Sequence, residues 1–375
     1  MSDRGDIFSL GVRPSSFVGL FVGASVATGM FTVGACSSDP PVDADASITV
    51  DGSISGGDSG KDGSAPQKDA TTDGSVIVDG TTPDVVTQPD GTVVPDGAAT
   101  KTTIFTVLFE NHDYKEIVGS SNAPYFNELI AKYGLATNYN DCNIHPSLPN
   151  YLCMISGDPQ YIGIIDLDPT QSFITGSFPV DKENLGSQLQ KAGIPWGAYQ
   201  ESMGTPCKLS GSGNYAPKHD PFLYFKDIQK GAKSLCDKTN IDYGGFAADL
   251  AADKNRYYFI TPNLVSDGHD PANDPVAALK ASDTWARAEI DKIMKSAAYK
   301  NGGVIFITWD EAEGRNGNSK EQVPMIVVSE RIKSTGFQSA KAYTHKSYLA
   351  TVEDLLGLPR LATVTTEATM TEFLK

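Results

Sequence analysis

Two apolar runs that end in acidic residues constrain this chain more than any other feature. Thr103 to Phe109 is followed by Glu110-Asn111-His112-Asp113, and Val304 to Trp309 by Asp310-Glu311. Continuous apolar runs of this length read as strands buried on both faces, the pattern of a mostly parallel sheet covered by helices. In such sheets ligands bind outside the carboxyl ends of the strands. Both runs therefore deliver oxygen-bearing side chains to the place where a site forms. A third run, Phe259-Ile260-Thr261, leads through Pro262-Asn263 into Ser266-Asp267-Gly268-His269-Asp270. Neighbouring carboxylates repel strongly unless a cation lies between them. Glu110 and Asn111 beside Asp310 and Glu311 make an oxygen-rich set suited to a divalent metal. Solvated loop charge would account for any one of these segments, but accounts poorly for three strand ends together.

His145-Pro146-Ser147-Leu148-Pro149-Asn150-Tyr151 supplies a hydroxyl nucleophile. Leu148 to Ser156 reads as a short helix closed by Gly157, and Pro149 suits its first turn, where a missing N–H costs nothing. Ser147 then stands at or just before a helix N-terminus, where unpaired N–H groups and the helix dipole favour an anion. A serine presented to an anionic group is what phosphoryl transfer through a covalent intermediate requires. An ordinary serine N-cap is the competing reading of this segment alone.

Taken as an ordered set, Glu110-Asn111-His112-Asp113-Tyr114, the Ser147 segment, Asp267-Gly268-His269-Asp270, Thr308-Trp309-Asp310-Glu311 and Thr344-His345 resemble the bacterial and fungal phosphoesterase family. That family holds secreted acid phosphatases and C-type phospholipases, within the alkaline phosphatase superfamily. The resemblance runs from about Thr102 to Leu358. It implies that Glu110, Asn111, Asp310 and Glu311 hold a metal that also contacts the Ser147 oxygen. It implies that Ser147 attacks phosphorus to give a phosphoserine that water hydrolyses. By the same resemblance His269 and His345 are general acids or phosphate ligands, or share a second metal site with Asp267, while His145, Asn150, His219 and Asp267 bind substrate. The metal would be Mg, Ca, Mn or Zn. Lys218-His219-Asp220-Pro221 resembles the family's Lys/Arg-His-Asn-Pro segment, with Asp220 in place of the usual Asn, which leaves the role of His219 open. All five histidines of the chain, His112, His145, His219, His269 and His345, lie in or beside these segments.

Upstream, Phe17 to Ala35 is apolar or small throughout and ends in Val33-Gly34-Ala35-Cys36. This resembles the lipobox of bacterial lipoproteins, in which the cysteine becomes the lipidated first residue; an uncleaved anchor or a simple secretory signal are the alternatives. Each route exports the domain, to the bacterial cell envelope or the medium. Ser37 to Thr100 has no aromatic residue, twelve Asp and two Lys, a net of −10 within a chain total of −16. Such a segment cannot bury enough apolar surface to offset its ordering entropy, so it reads as a disordered tether. The acidity of the chain belongs to that tether and says little about substrate. Four further cysteines, Cys142, Cys153, Cys207 and Cys236, suit two disulfides in an exported chain. Of the three possible pairings, Cys142–Cys153 and Cys207–Cys236 each close a short local loop, and the first braces both sides of the Ser147 segment. Zinc ligation is the competing use, but the spacings match no zinc motif.

The sequence thus divides into a lipoprotein-type leader (1–36), a linker (37–101) and one α/β catalytic domain (102–375), with a central, mostly parallel, alkaline-phosphatase-like sheet flanked by helices. Helices are expected over Tyr125 to Tyr133, Asn184 to Ala192, Val276 to Tyr299 and Ser347 to Leu356, the first two stopped by Gly134 and Gly193; Pro324 to Ser329 reads as another buried strand. There is no internal repeat and no basic stripe, so nucleic-acid binding has no electrostatic support. The expected function is metal-dependent phosphoric ester hydrolysis, of acid phosphatase type, on a phosphate ester substrate. The alternatives are a C-type phospholipase, a sulfatase (disfavoured because no arginine follows Ser147 at the spacing that branch uses) and a surface lipoprotein that binds phosphate or glycans without turnover.

Overall fold

The computed structural model describes residues 102–375 apart from 161–164, 174–175, 233–234, 316–318 and 320, together with an antiparallel pair of two-residue strands, Val86–Thr87 and Val93–Val94. The leader with Cys36 and the rest of the acidic segment lie outside the described residues.

Eight strands form the central sheet: β1 (Ile104–Phe109), β2 (Gly134–Ala136), β3 (Trp196–Gln200), β4 (Asn240–Asp242), β5 (Tyr257–Thr261), β6 (Val304–Trp309), β7 (Met325–Val328) and β8 (Phe337–Ser339). Their spatial order is β8-β2-β7-β6-β1-β5-β3-β4. Only β7 runs against its neighbours, β6 and β2; every other pairing is parallel. β1 and β6 are fully buried, as their unbroken apolar runs require.

Four helices matter for the site: α1 (Pro124–Lys132), α2 (Ser147–Ser156), α3 (Pro275–Lys295) and α4 (His345–Leu356). Side chains alternate across a strand, and this sorts the helices between the two faces. Thr106 and Phe306, paired in register, meet Tyr348 of α4. Phe109 pairs with Trp309; both pack edge-on to Phe126 of α1, and Phe109 also meets Trp285 of α3. Both faces are therefore covered.

Helix α2 carries the candidate nucleophile at its first position and is buried along its whole length. Burying Leu148, Leu152 and Ile155 stabilises it by about 1.5–3 kcal/mol each. Leu152→Ala would cost roughly 2–5 kcal/mol by leaving a cavity. Gly157 ends the helix in the left-handed region at φ 65°, and a Cβ there would stand 2.5 Å from Thr363 Oγ1 and 2.7 Å from Val364 Cγ1. Glycine is thus required twice over, by conformation and by space. Both expected disulfides are present, Cys142–Cys153 and Cys207–Cys236. Among the described residues, no helix is long and apolar enough to cross a membrane.

Candidate active site

The carboxyl ends of β1, β5 and β6 and the N-terminus of α2 converge. Ser147 Oγ lies 3.0 Å from Glu110 Oε2 and 3.3 Å from Glu311 Oε1, with all three residues buried. The Asn111 amide donates to Asp310 Oδ1 at 3.1 Å, which ties the end of β1 to the end of β6. Asn111 takes the left-handed conformation at φ 55°, one that Asn tolerates better than most residues. The Glu110 amide donates to the Asp267 carbonyl at 2.9 Å, which joins the end of β1 to the loop after β5. Gly268 makes that approach possible: at φ 99°, a Cβ there would stand 3.0 Å from His112 Cδ2 and 3.3 Å from the Glu110 carbonyl.

His219 reaches into this cluster with Nε2 3.1 Å from Glu110 Oε1 and Nδ1 3.3 Å from Asp267 Oδ2. Ligand atoms of Glu110, His219 and Asp267 all lie within 4.8 Å of one another, and all three residues are buried. Burial, reinforced by Asp310 and Asp267, pushes the Glu110 carboxyl well above the usual range. Burial does the same to Asp267, with Asp310 adding to it, and to Asp310, with Glu311 adding to it. Burial and the nearby Lys218 charge hold the His219 imidazole well below its ordinary value, so it is neutral and able to act as a ligand. Asn111 Oδ1 and Asp310 Oδ2 are buried without a hydrogen-bond partner among the described residues. Crowded carboxylates, a neutral imidazole and unpaired buried oxygens fit a divalent cation, which would remove the repulsion and satisfy those atoms.

A family model described as the phosphoesterase family matches residues 117–359. The chain belongs to the phosphoesterase family. The match covers Ser147, His219, Asp267, Asp310, Glu311 and His345, while Glu110 and Asn111 lie just upstream of it. Among related proteins, the chain is 28% identical over 269 residues to a probable acid phosphatase of Kluyveromyces lactis, covering 68% of this chain and 58% of that one. It is likewise 28% identical to an acid phosphatase of Aspergillus fumigatus, covering 68% and 55%. The chain thus spans a little over half the length of these fungal relatives. A phosphatidylinositol-3-phosphatase of Mycobacterium tuberculosis is 24% identical, covering 72% of this chain and 81% of that one. In fold, murine ectonucleotide pyrophosphatase/phosphodiesterase 5 superposes with a TM-score of 0.50 at 10% identity, covering 73% of this chain and 100% of that one.

In this phosphoesterase the remaining expected site residues separate into a rim and a second layer. His145 stands at the mouth, 41% exposed, with Nδ1 2.5 Å from Glu311 Oε2. That contact raises its imidazole to about 9, against the lowering effect of its partial burial. His145, Pro146, Glu311, Ala312 and Glu313 line a cleft of about 290 Å³. His269 is also at the rim; its amide caps Asp267 Oδ1 at 2.8 Å, its Nδ1 lies 3.0 Å from Asp270 Oδ1, and its ring centre is 6.3 Å from that of His219.

Two expected assignments change. His345 is fully buried behind the acidic pair: its Nε2 lies 2.7 Å from the Asp310 carbonyl and its Nδ1 2.9 Å from the Tyr139 hydroxyl. With both nitrogens engaged inside the protein, it buttresses the end of β6, a placement that does not suit the general-acid, phosphate-ligand or second-metal-site roles implied by the resemblance. Asn150 does not face substrate, because its side chain accepts from the Cys142 amide at 3.0 Å and donates to the Ile144 carbonyl at 2.6 Å, pinning the loop before Ser147. Asp267, expected on substrate or in a second metal site, stands with Glu110 in the buried cluster, and so does His219, whose role the sequence left open.

Two acids outside the expected set shape the walls. Asp113 accepts from the amides of Glu313, Gly314 and Arg315 at 2.7, 3.0 and 2.5 Å. Asp141 accepts from the Asn143 amide at 2.6 Å and from the Ala312 amide at 3.4 Å. Each reaches the loop after β6 from elsewhere in the chain, and no local sequence pattern reports such a bridge.

Proposed function

We propose that this protein is a metal-assisted phosphomonoesterase that works through a phosphoserine on Ser147. The observation that carries this reading is the Ser147 hydroxyl held between Glu110 and Glu311 at the N-terminus of α2. In the first step Ser147 Oγ attacks phosphorus while its proton passes to the Glu110/Glu311 carboxylate pair. The bond from phosphorus to the leaving oxygen breaks, and that oxygen takes a proton from His145, which Glu311 keeps as an imidazolium below about pH 9. Water then attacks the phosphoserine, His145 accepts the water proton, and the carboxylate pair returns a proton to Ser147 as phosphate leaves. The α2 N-terminus favours the negative phosphoryl group throughout. A divalent cation held by Glu110, His219 and Asp267, with Asp310, Glu311 and Asn111 beside them, would neutralise the carboxylates and the charge on the phosphoryl oxygens. An imidazole among oxygen donors suits Mn or Zn better than Ca or Mg.

The related proteins named as phosphatases support a monoester over a diester. The two disulfides accord with export, and attachment of a lipid at Cys36 completes the reading as an envelope enzyme. Turnover of a chromogenic phosphomonoester is compared with that of a phosphodiester and a phospholipid, for wild type and Ser147→Ala. Monoester hydrolysis, abolished by the substitution, with phosphate trapped on Ser147 after acid quench, is the expected result. Preferential cleavage of the diester or the lipid would make the protein a phosphodiesterase of the C-type phospholipase kind. No turnover of any of them would leave a binding lipoprotein.

A further inference from the structure

Tyr151 is a buried polar group that the mechanism above does not use. It lies one helical turn after Ser147 on α2, and residues four apart share a helix face. The nucleophile and the tyrosine therefore point toward the same carboxylate cluster. Tyr151 is fully buried, and its ring lies parallel to that of His219, with centres 5.1 Å apart and planes 3° apart. Its hydroxyl is directed at the Glu110 carboxylate. Yet it makes no hydrogen bond of good geometry among the described residues. An unpaired buried hydroxyl is costly, and the acceptors around it are the carboxylates of the site. A phenylalanine would fill the same apolar volume without that cost.

We infer that Tyr151 is a positioning residue for the cation site, acting through two neighbours at once. Its ring clamps the His219 imidazole edge-on between Glu110 and Asp267, and its hydroxyl donates to the Glu110 carboxylate when that carboxylate serves as a ligand. Groups of this kind fix the orientation and basicity of the ligands they touch, and their loss lowers metal affinity on the order of 10- to 100-fold. The two functions are separable, because Tyr151→Phe removes the donor and keeps the clamp, whereas Tyr151→Leu removes both.

This inference rests on the metal-site reading above, and its test is a binding measurement that does not depend on turnover. The full chain is stripped with chelator and titrated with Mn(II) by calorimetry, for wild type and both variants, with thermal unfolding of the stripped proteins recorded in parallel. Mn(II) affinity should fall on the order of 10-fold in Tyr151→Phe and further in Tyr151→Leu. The melting temperature of the stripped Phe variant should stay within about 2 °C of wild type, since the packed volume is kept. Affinity of the Phe variant within twofold of wild type would overturn the donor role, and equal losses in the two variants would overturn the clamp. Should Tyr151→Leu fail to fold, the Phe variant alone decides the donor role, and Tyr151→Met, which fills more of the volume without a ring, tests the clamp: it should bind Mn(II) more weakly than Tyr151→Phe, and equal affinities would overturn the clamp. A wild-type chain that binds no Mn(II), Mg(II), Ca(II) or Zn(II) would fail the metal-site reading itself, a different result from a site that binds metal indifferently to Tyr151.

Discussion

The two disulfides should separate stability from activity in opposite orders. Cys142–Cys153 spans 11 residues of sequence and Cys207–Cys236 spans 29. In the chain-entropy description, closing loops of these lengths restricts the unfolded chain by about 2.8 and about 3.6 kcal/mol. For a domain of this size the unfolding entropy is roughly 0.6 kcal/mol per kelvin, so replacing either pair with alanines should lower Tm by about 5 and about 6 °C. The ranking for catalysis is reversed. The first bridge joins the loop that leads to His145 and Ser147 to the helix that Ser147 begins, and the Cys142 amide is the one that Asn150 holds. The second ties the segment before β4 to the region after Glu201, and none of the candidate catalytic groups lies in its loop apart from His219. Cys142→Ala/Cys153→Ala should therefore reduce kcat on a phosphomonoester at least 10-fold at 20 °C, well below its own melting point. Cys207→Ala/Cys236→Ala should lose more Tm and less than threefold in kcat. Differential scanning calorimetry and steady-state kinetics on the same preparations provide both rankings. If the two losses follow the same order, with kcat tracking Tm, the first bridge does not hold the nucleophile and the reasoning fails.

Asp310→Asn should keep the fold, bind divalent metal at least 10-fold more weakly and lose most turnover, as read by elemental analysis and rate; unchanged metal content would remove Asp310 from the cation site. Asp113→Ala should lower Tm by several degrees and raise KM, because three amides of the loop beside the cleft lose their acceptor; calorimetry and kinetics check both effects. Glu372 gives the pH dependence. Burial alone would raise its carboxyl, but hydrogen bonds from Lys341, Ser339 and Tyr343 outweigh this and hold it at about 2, below the ordinary value of 4.5. A carboxyl depressed on folding stabilises above its unfolded value and loses that contribution as pH falls through the folded one. Urea unfolding from pH 5 to pH 2 should therefore show a shallower acid decline in Glu372→Gln than in wild type, and identical declines would refute the assignment.

The strands that carry the site were legible because each is an unbroken apolar run ending in acid: β1 and β6 fall where Thr103–Phe109 and Val304–Trp309 predict. Helix α2 and its glycine stop were legible from local capping chemistry. Gly134 was misread for an equally physical reason. It does not stop a helix but opens β2, where a Cβ would stand 2.6 Å from Phe373 Cδ1 and 2.9 Å from Ile332 Cδ1. Glycine forced by a neighbour distant in sequence looks, locally, like glycine forced by a turn. β3, β4 and β8 carry Trp-Gly-Ala-Tyr-Gln, Asn-Ile-Asp and Phe-Gln-Ser, and none of these shows an apolar run to read. In the site, residue types and order gave the membership, but not the layer in which each stands. Whether a histidine faces substrate or a carbonyl depends on tertiary placement, which sets His345 on the Asp310 carbonyl and His219 among the carboxylates.

The position of β1 between β5 and β6 has a consequence for how the protein becomes active. Glu110, Ser147, His219, Asp267 and Asp310 leave the chain far apart and meet only when strands from both halves have paired with β1. A partly folded chain holds carboxylates but no converged set, so a cation has little reason to prefer it over the unfolded state. Its binding free energy then falls almost wholly on the finished fold. A cation bound at this site would thus select completed molecules, and stability and activity would rise together at the moment of loading.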